Sequence, residues 1–256
     1  MPQILVTNDD GVLAPGLAAL AEAMAALGTV TVVAPSKNWS ASGHVKTMHK
    51  PLRLQEATLS DGRPAWACSG APSDCVALAL MGALKQDFDL VVSGINPHAN
   101  MGQDVTYSGT VTAAMEAALM NRPGIAVSTD WDQAIGYGPA AEAGLMAVRM
   151  VLARGGLPPG LLLSVNAPSR PSAQILGVRV TRLGQRDYRD ELVVRDDPYG
   201  RPYYWIGGEG PIALPGEGTD VEALAAGYIS ITPLNMDMTA RSALEDIRGW
   251  GWEREA

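Results

Sequence analysis

The sequence predicts a doubly wound, Rossmann-like α/β fold: a mostly parallel sheet with helices on both faces, extended at the C-terminus by β-hairpins and a helix. Three observations carry that expectation. Short, uninterrupted apolar runs rich in β-branched residues recur along the first two thirds of the chain, helical stretches lie between most of them, and polar turns follow the runs. Strands apolar on both faces belong to parallel sheets covered by helices on either side.

Taken in order, QILVT at 3–7 reads as a buried strand, followed by the turn Asn8-Asp9-Asp10-Gly11 and an alanine-rich amphipathic helix over 15–27. Further strands are predicted at 29–34 (TVTVVA), 89–94 (DLVVSG), 124–129 (GIAVST) and 161–166 (LLLSVN), with helices at 73–84, 110–121 and 139–154. Beyond about residue 170 the texture changes to alternating strands rich in arginine and tyrosine (VRVTRL, ELVVR, PYYWIG), then a short helix near 221–226, the strand YISITP and a last amphipathic helix from Ala240. Residues 1–170 are therefore expected to form the catalytic core, and 171–256 an extension that completes it and joins subunits.

Composition narrows the function. Nineteen basic against 27 acidic residues give a net charge of −8, which argues against binding nucleic-acid duplexes or anionic membranes, since both require a basic footprint. No run of about 18 apolar residues marks a membrane span, and no basic-then-apolar leader opens the chain. The two cysteines, Cys68 and Cys75, are too few for a disulfide framework and lack zinc spacing. A reducing, cytoplasmic setting is expected.

In doubly wound sheets ligands bind beyond the carboxyl ends of the strands. Those positions here carry Asn8, Asp9 and Asp10 after the first strand, the stretch from Pro35 to His44 after the second, and Gly94-Ile95-Asn96 after the third. Two adjacent aspartates with Asn and Ser oxygens suit a hard cation such as Mg²⁺ or Mn²⁺; they serve equally as a turn and helix cap. Ser108, Gly109 and Thr110 open a helix whose free N–H groups would suit a phosphate, although an ordinary Ser/Thr cap explains them as well. Lys37, His44 and Lys46 offer charge or a proton, or simply solvated side chains. Ser73 and Asp74 read as a helix cap. Trp131 and Tyr137 offer a stacking surface for a base or merely local packing.

Five motifs in order resemble the stationary-phase survival (SurE) family of metal-dependent 5′/3′-nucleotidases: NDDG at 8–11, APSKNWSASGH at 34–44, SGAPSDCV at 69–76, SGIN at 93–96 and YSGTVTAAMEA at 107–117. The resemblance implies a phosphomonoesterase acting on nucleoside 5′- and 3′-monophosphates, and leaves open whether short polyphosphate is also cleaved. It implies one divalent cation per subunit, Mg²⁺ or Mn²⁺, at positions matching Asp9, Asp10, Ser40 and Asn96. It also implies a homodimer or homotetramer built through exchanged C-terminal segments. Trp39 and Ala71 depart from the usual residues of their motifs, which bears on substrate preference more than on reaction type.

The expected mechanism assigns catalysis to Asp9, Asp10 and Asn8, and phosphate binding to Asn8, Ser42, Gly43, His44, Ser108, Gly109 and Thr110. Attack on phosphorus falls to water or to a carboxylate, the missing Asp-x-Asp pattern favouring water; the leaving hydroxyl takes its proton from water or His44. Two rival classes share these features, a non-catalytic nucleotide-binding regulator and a metal-dependent sugar-nucleotide transferase. Phosphate release from a nucleoside monophosphate separates both from a hydrolase.

Overall fold

In the computed structural model, which describes residues 1–214 and 216–252, the elements run β1 (Gln3–Thr7), α1 (Pro15–Ala25), β2 (Thr29–Pro35), β3 (Leu54–Thr58), β4 (Pro64–Cys68), α2 (Pro72–Leu80), β5 (Leu90–Asn96), α3 (Gly109–Leu119), β6 (Gly124–Thr129), α4 (Gly138–Ala153) and β7 (Leu161–Ala167). After these come β8 (Val178–Val180), β9 (Arg186–Asp196), β10 (Pro202–Ala213), α5 (Asp220–Ala225), β11 (Ile229–Asn235) and α6 (Leu244–Arg248). One sheet takes nine strands in the order β3-β4-β2-β1-β5-β6-β7-β11-β8, while β9 and β10 pair by themselves. The strands from β2 to β7 in that order are parallel to their neighbours; β3 and β11 run antiparallel to β4 and β7. The predicted fold class is the observed one.

Strand periodicity explains the layering. Ile4 and Val6 of β1 point to one face, into a core with Leu17, Leu20 and Met24 of α1 and Val148 and Val151 of α4. Leu5, between them, points to the other face, among Cys75 and Val76 of α2 and Ala113 and Ala117 of α3. A strand with helices on both sides has no polar face, hence QILVT reads as one apolar run.

Several local expectations need correction. The predicted helix over 73–84 ends at Leu80, because Gly82 takes a left-handed φ of +88° and closes the helix although alanine and leucine continue the pattern. The final helix from Ala240 is a single 3₁₀ turn at Arg241–Ala243 followed by the short α6. Strands β3 and β4 were not anticipated; they are short, one opens on proline, and they form the edge of the sheet. The extension divides, with β8 and β11 completing the main sheet and β9–β10 standing out as a hairpin with Leu192, Val194, Trp205 and Ile206 exposed.

Connectivity positions the site. From β1 the chain crosses to β2 on one side, and later returns to β5 on β1's other side. The strand order therefore switches direction at β1, where a crevice opens beyond the strand ends. Strand β5 also carries one residue more than β6 between the pairs Ser93↔Ala126 and Asn96↔Ser128, a bulge that re-aims its end. Gly94 makes the bulge possible: its φ is +139°, and a Cβ there would lie 2.2 Å from the Val127 carbonyl oxygen. Gly94→Ala is expected to destabilise the protein by at least about 2 kcal/mol, the scale of combined overpacking and backbone strain, and to lower Tm by several degrees in a calorimetric scan; an unchanged Tm would show that the strand end accommodates the methyl.

Candidate active site

At the switch point lies a cavity of about 550 Å³, lined by Asp9, Asp10, Ser40, Asn96 and Ser108, with His98, Asn100, Met101, Asp104, Tyr107, Asp130, Arg186 and Pro211 around them. Asp9 and Asp10 follow β1, Ser40 lies in the loop after β2, and Asn96 ends β5. Three adjacent strands thus deliver the four predicted metal ligands to one hollow.

Asp9 is 3% exposed. Its carboxylate accepts a hydrogen bond from the Thr110 hydroxyl at the start of α3. Burial pushes the Asp9 carboxyl above its ordinary pKa, against the opposing pull of that hydroxyl and of the backbone at Gly109 and Thr110. The approach depends on Gly109, where a Cβ would lie 2.6 Å from Asp9 Cβ. Asp10 is half-buried and accepts from Asn38 Nδ2 at 3.3 Å. Burial and then the charge of Asp9 push its carboxyl up to about 6, with His98 and Asn38 pulling the other way.

The loop after β2 is strapped down at several points. The Trp39 N–H donates to the Asp9 carbonyl (2.8 Å) and the Gly43 N–H to the Tyr107 carbonyl (2.9 Å). The Thr112 hydroxyl donates to the Gly43 carbonyl at 3.2 Å. Further on, His44 Nε2 and Lys46 Nζ meet the buried Glu116 of α3 at 3.0 and 2.8 Å. Those partners, His44 first, hold the Glu116 carboxyl below its ordinary pKa despite burial.

Not every predicted residue reaches the cavity. Asn8 spends its side chain on its own turn: Nδ2 donates to the Gly11 carbonyl and Oδ1 accepts from the Gly11 N–H, at 3.0 and 3.2 Å. Ser42, Gly43 and His44 lie outside the lining, with His44 engaged by Glu116. At the α3 start the Thr110 hydroxyl donates to Asp9 and Gly109 lies against the Asp9 side chain; of the three residues expected to grip phosphate there, Ser108 lines the hollow. Its Oγ accepts from the Val111 N–H at 3.2 Å. Asp74 caps α2 as expected, accepting from the Ala71 N–H (2.8 Å), and also holds Thr47. Trp131 and Tyr137 stack on each other, centroids 6.0 Å apart.

The residues missed by sequence reasoning fall into two groups. His98 and Asn100 sit just beyond SGIN, and the polar run there was a usable signal. Asp104, Arg186 and Pro211 had none. Arg186 joins the site from the root of β9, ion-paired to Asp104, with Tyr188 donating to the same carboxylate.

Comparison with known proteins identifies the family. The family described as Survival protein SurE matches residues 4–190. The chain belongs to the SurE family. It is 52% identical over 256 residues to 5′-nucleotidase SurE of Chloroflexus aggregans, covering 98% of this chain and 99% of the relative. Its identity to the protein of the same name from Herpetosiphon aurantiacus is 51% over 241 residues, 92% and 93% of the two chains. The crystal structure of the SurE protein from Aquifex aeolicus matches with a TM-score of 0.81 at 38% identity, over 97% of this chain and 99% of that one.

The donor set of this SurE chain fits a divalent cation. The carboxylates of Asp9 and Asp10 and the neutral oxygens of Ser40 and Asn96, which line the cavity together, are a hard-cation set. Burial raises the pKa of both carboxyls and the charge of Asp9 raises that of Asp10 further, a cost that a cation would relieve. Because the folded pKa of Asp10 is raised, the native state holds more protons than the unfolded chain between about pH 4 and 6, and stability falls as pH rises through that window. Asp10→Asn, studied in EDTA, is expected to raise Tm by a few degrees above pH 6, about 1 kcal/mol after allowing for partial exposure. Below pH 4 it should make no difference; a variant no more stable than wild type at pH 7 would contradict the charge repulsion.

Proposed function

We propose that the protein is a divalent-metal-dependent phosphomonoesterase that hydrolyses nucleoside 5′- and 3′-monophosphates, with Asp9, Asp10, Ser40 and Asn96 as the metal-binding side chains. The observation that carries this reading is that all four line one cavity in a SurE chain whose relatives at about half identity are 5′-nucleotidases. The chain is an enzyme of that nucleotidase kind. When bound, the cation, Mg²⁺ or Mn²⁺, supplies Lewis-acid stabilisation of charge on the phosphoryl oxygens.

The protein's own groups do the rest. Thr110 and the α3 start fix Asp9 in direction. Ser108, whose oxygen is already used as an acceptor by Val111, turns its hydroxyl proton to a phosphoryl oxygen. Water attacks in line, and the leaving hydroxyl is protonated by water or by His98, the imidazole that lines the cavity in place of His44.

The same reading takes short polyphosphate as a second substrate. It also assigns the exposed apolar blade of β9–β10 to a homodimer or homotetramer contact. Cys68 and Cys75, free and buried, suit a reducing cytoplasm, and among the described residues no helix is long and apolar enough to cross a membrane. Phosphate release from AMP or GMP, stimulated by Mn²⁺ or Mg²⁺ and abolished by EDTA, is the expected result. Asp9→Asn should lower kcat by at least about 10²-fold while remaining folded. Tight nucleotide binding without release would favour the regulator.

A further inference from the structure

A second cavity of about 350 Å³ adjoins the first, and Met101 and Asp130 line both. Its other walls include Pro168 and Leu224, with Ser169 and Arg170 as the polar groups. The Ser169 hydroxyl is buried without a hydrogen-bond partner among the described residues. The Arg170 guanidinium makes no ion pair or hydrogen bond among the described residues. It lies against Gly227, where a Cβ would sit 2.4 Å from Nη1. The common rim is rigidly built. The Asn100 N–H donates to Asn166 Oδ1 (2.9 Å), Asn100 Nδ2 to the Ser128 hydroxyl (2.8 Å), and the Gly102 N–H to the buried Asp220 (2.9 Å), which fixes Met101 between them.

We propose that this adjoining cavity is the subsite for the heterocyclic base of the nucleotide, with Arg170 and Ser169 as its recognition groups. The inference rests on the nucleotidase reading and adds where the nucleoside half goes. A hollow with apolar walls, one unpaired planar guanidinium and one unpartnered hydroxyl suits a flat ring with hydrogen-bonding edges. A second phosphate is the poorer fit, since most of the wall is apolar and Asp130 stands at the rim. Base and phosphoryl group would then occupy neighbouring hollows on either side of Met101, the arrangement a nucleoside monophosphate requires.

The test compares AMP with ribose 5-phosphate, which carries the same phosphoryl group and sugar but no base, on the Mn²⁺-loaded full chain. Arg170→Ala and Ala225→Trp, the latter filling the cavity from the exposed end of α5, should each raise KM for AMP about tenfold and leave kcat nearly unchanged. KM for ribose 5-phosphate should not move. Calorimetric binding of both ligands gives the same comparison without turnover. An unchanged AMP KM in both variants, or equal losses on both substrates, would overturn the base subsite. So would a loss confined to short polyphosphate, which would make Arg170 an anion contact. Absence of phosphate release from either substrate by the wild-type protein would instead strike the nucleotidase reading, and the binding comparison would still decide the subsite.

Discussion

A carboxylate taken out of water is costly unless its charge is met, and Asp9 is almost wholly buried. The rest of the site is arranged around that constraint. The start of α3 and the Thr110 hydroxyl face the carboxylate, Gly109 presents no side chain so that the helix can come close, and Trp39 hydrogen-bonds the Asp9 backbone. Those contacts fix where α3 begins, and with it the direction of Ser108. Farther along the same helix, Glu116 holds His44 and Lys46, so the helix that orients one proposed ligand also restrains the loop carrying another.

The sheet and the extension contribute differently. Strands β2, β1 and β5 lie side by side at the point where strand order reverses, and their ends supply all the oxygen donors proposed for the cation. The extension supplies the rim. Asp220 of α5 accepts from the N–H groups of both Gly102 and Gly184, tying the loop after β5 to the approach to β9. Arg186 and Pro211, at the two ends of the β9–β10 hairpin, close one side of the cavity. The segment whose blade is exposed therefore also shapes the hollow at its root.

Much of this was legible in the sequence, for physical reasons that differ by element. β1, β2, β5, β6 and β7 are buried on both faces, and burial leaves an uninterrupted apolar signature. β3 and β4 lie at the sheet edge, where LQEAT and PAWAC need only partial burial and carry no such mark. That Asp9, Asp10, Ser40 and Asn96 share one cavity was foreshadowed by their places after strand ends, where this fold binds ligands, and by the family resemblance. The contact between the α3 start and Asp9 was not legible: free N–H groups at a helix end lead to the expectation of an anion, but a sequence does not show that the protein's own Asp9 lies against that end. Asn8 was assigned to chemistry for its company in the motif, whereas its amide is consumed in closing the turn on Gly11. Arg186 was invisible because it lies 90 residues beyond Asn96 in the chain (186 − 96), and only tertiary folding brings the two to one cavity.

The central claim is that oxygen donors from separate strand ends form one cation site. It is tested most directly by titrating Mn²⁺ into the metal-free protein by calorimetry, with the Asp9→Asn and Asn96→Ala variants alongside. The account predicts one ion per chain in the wild type, affinity at least tenfold weaker in Asp9→Asn, and a smaller loss in Asn96→Ala, all in folded proteins. Wild-type affinity and stoichiometry retained in both variants would contradict it.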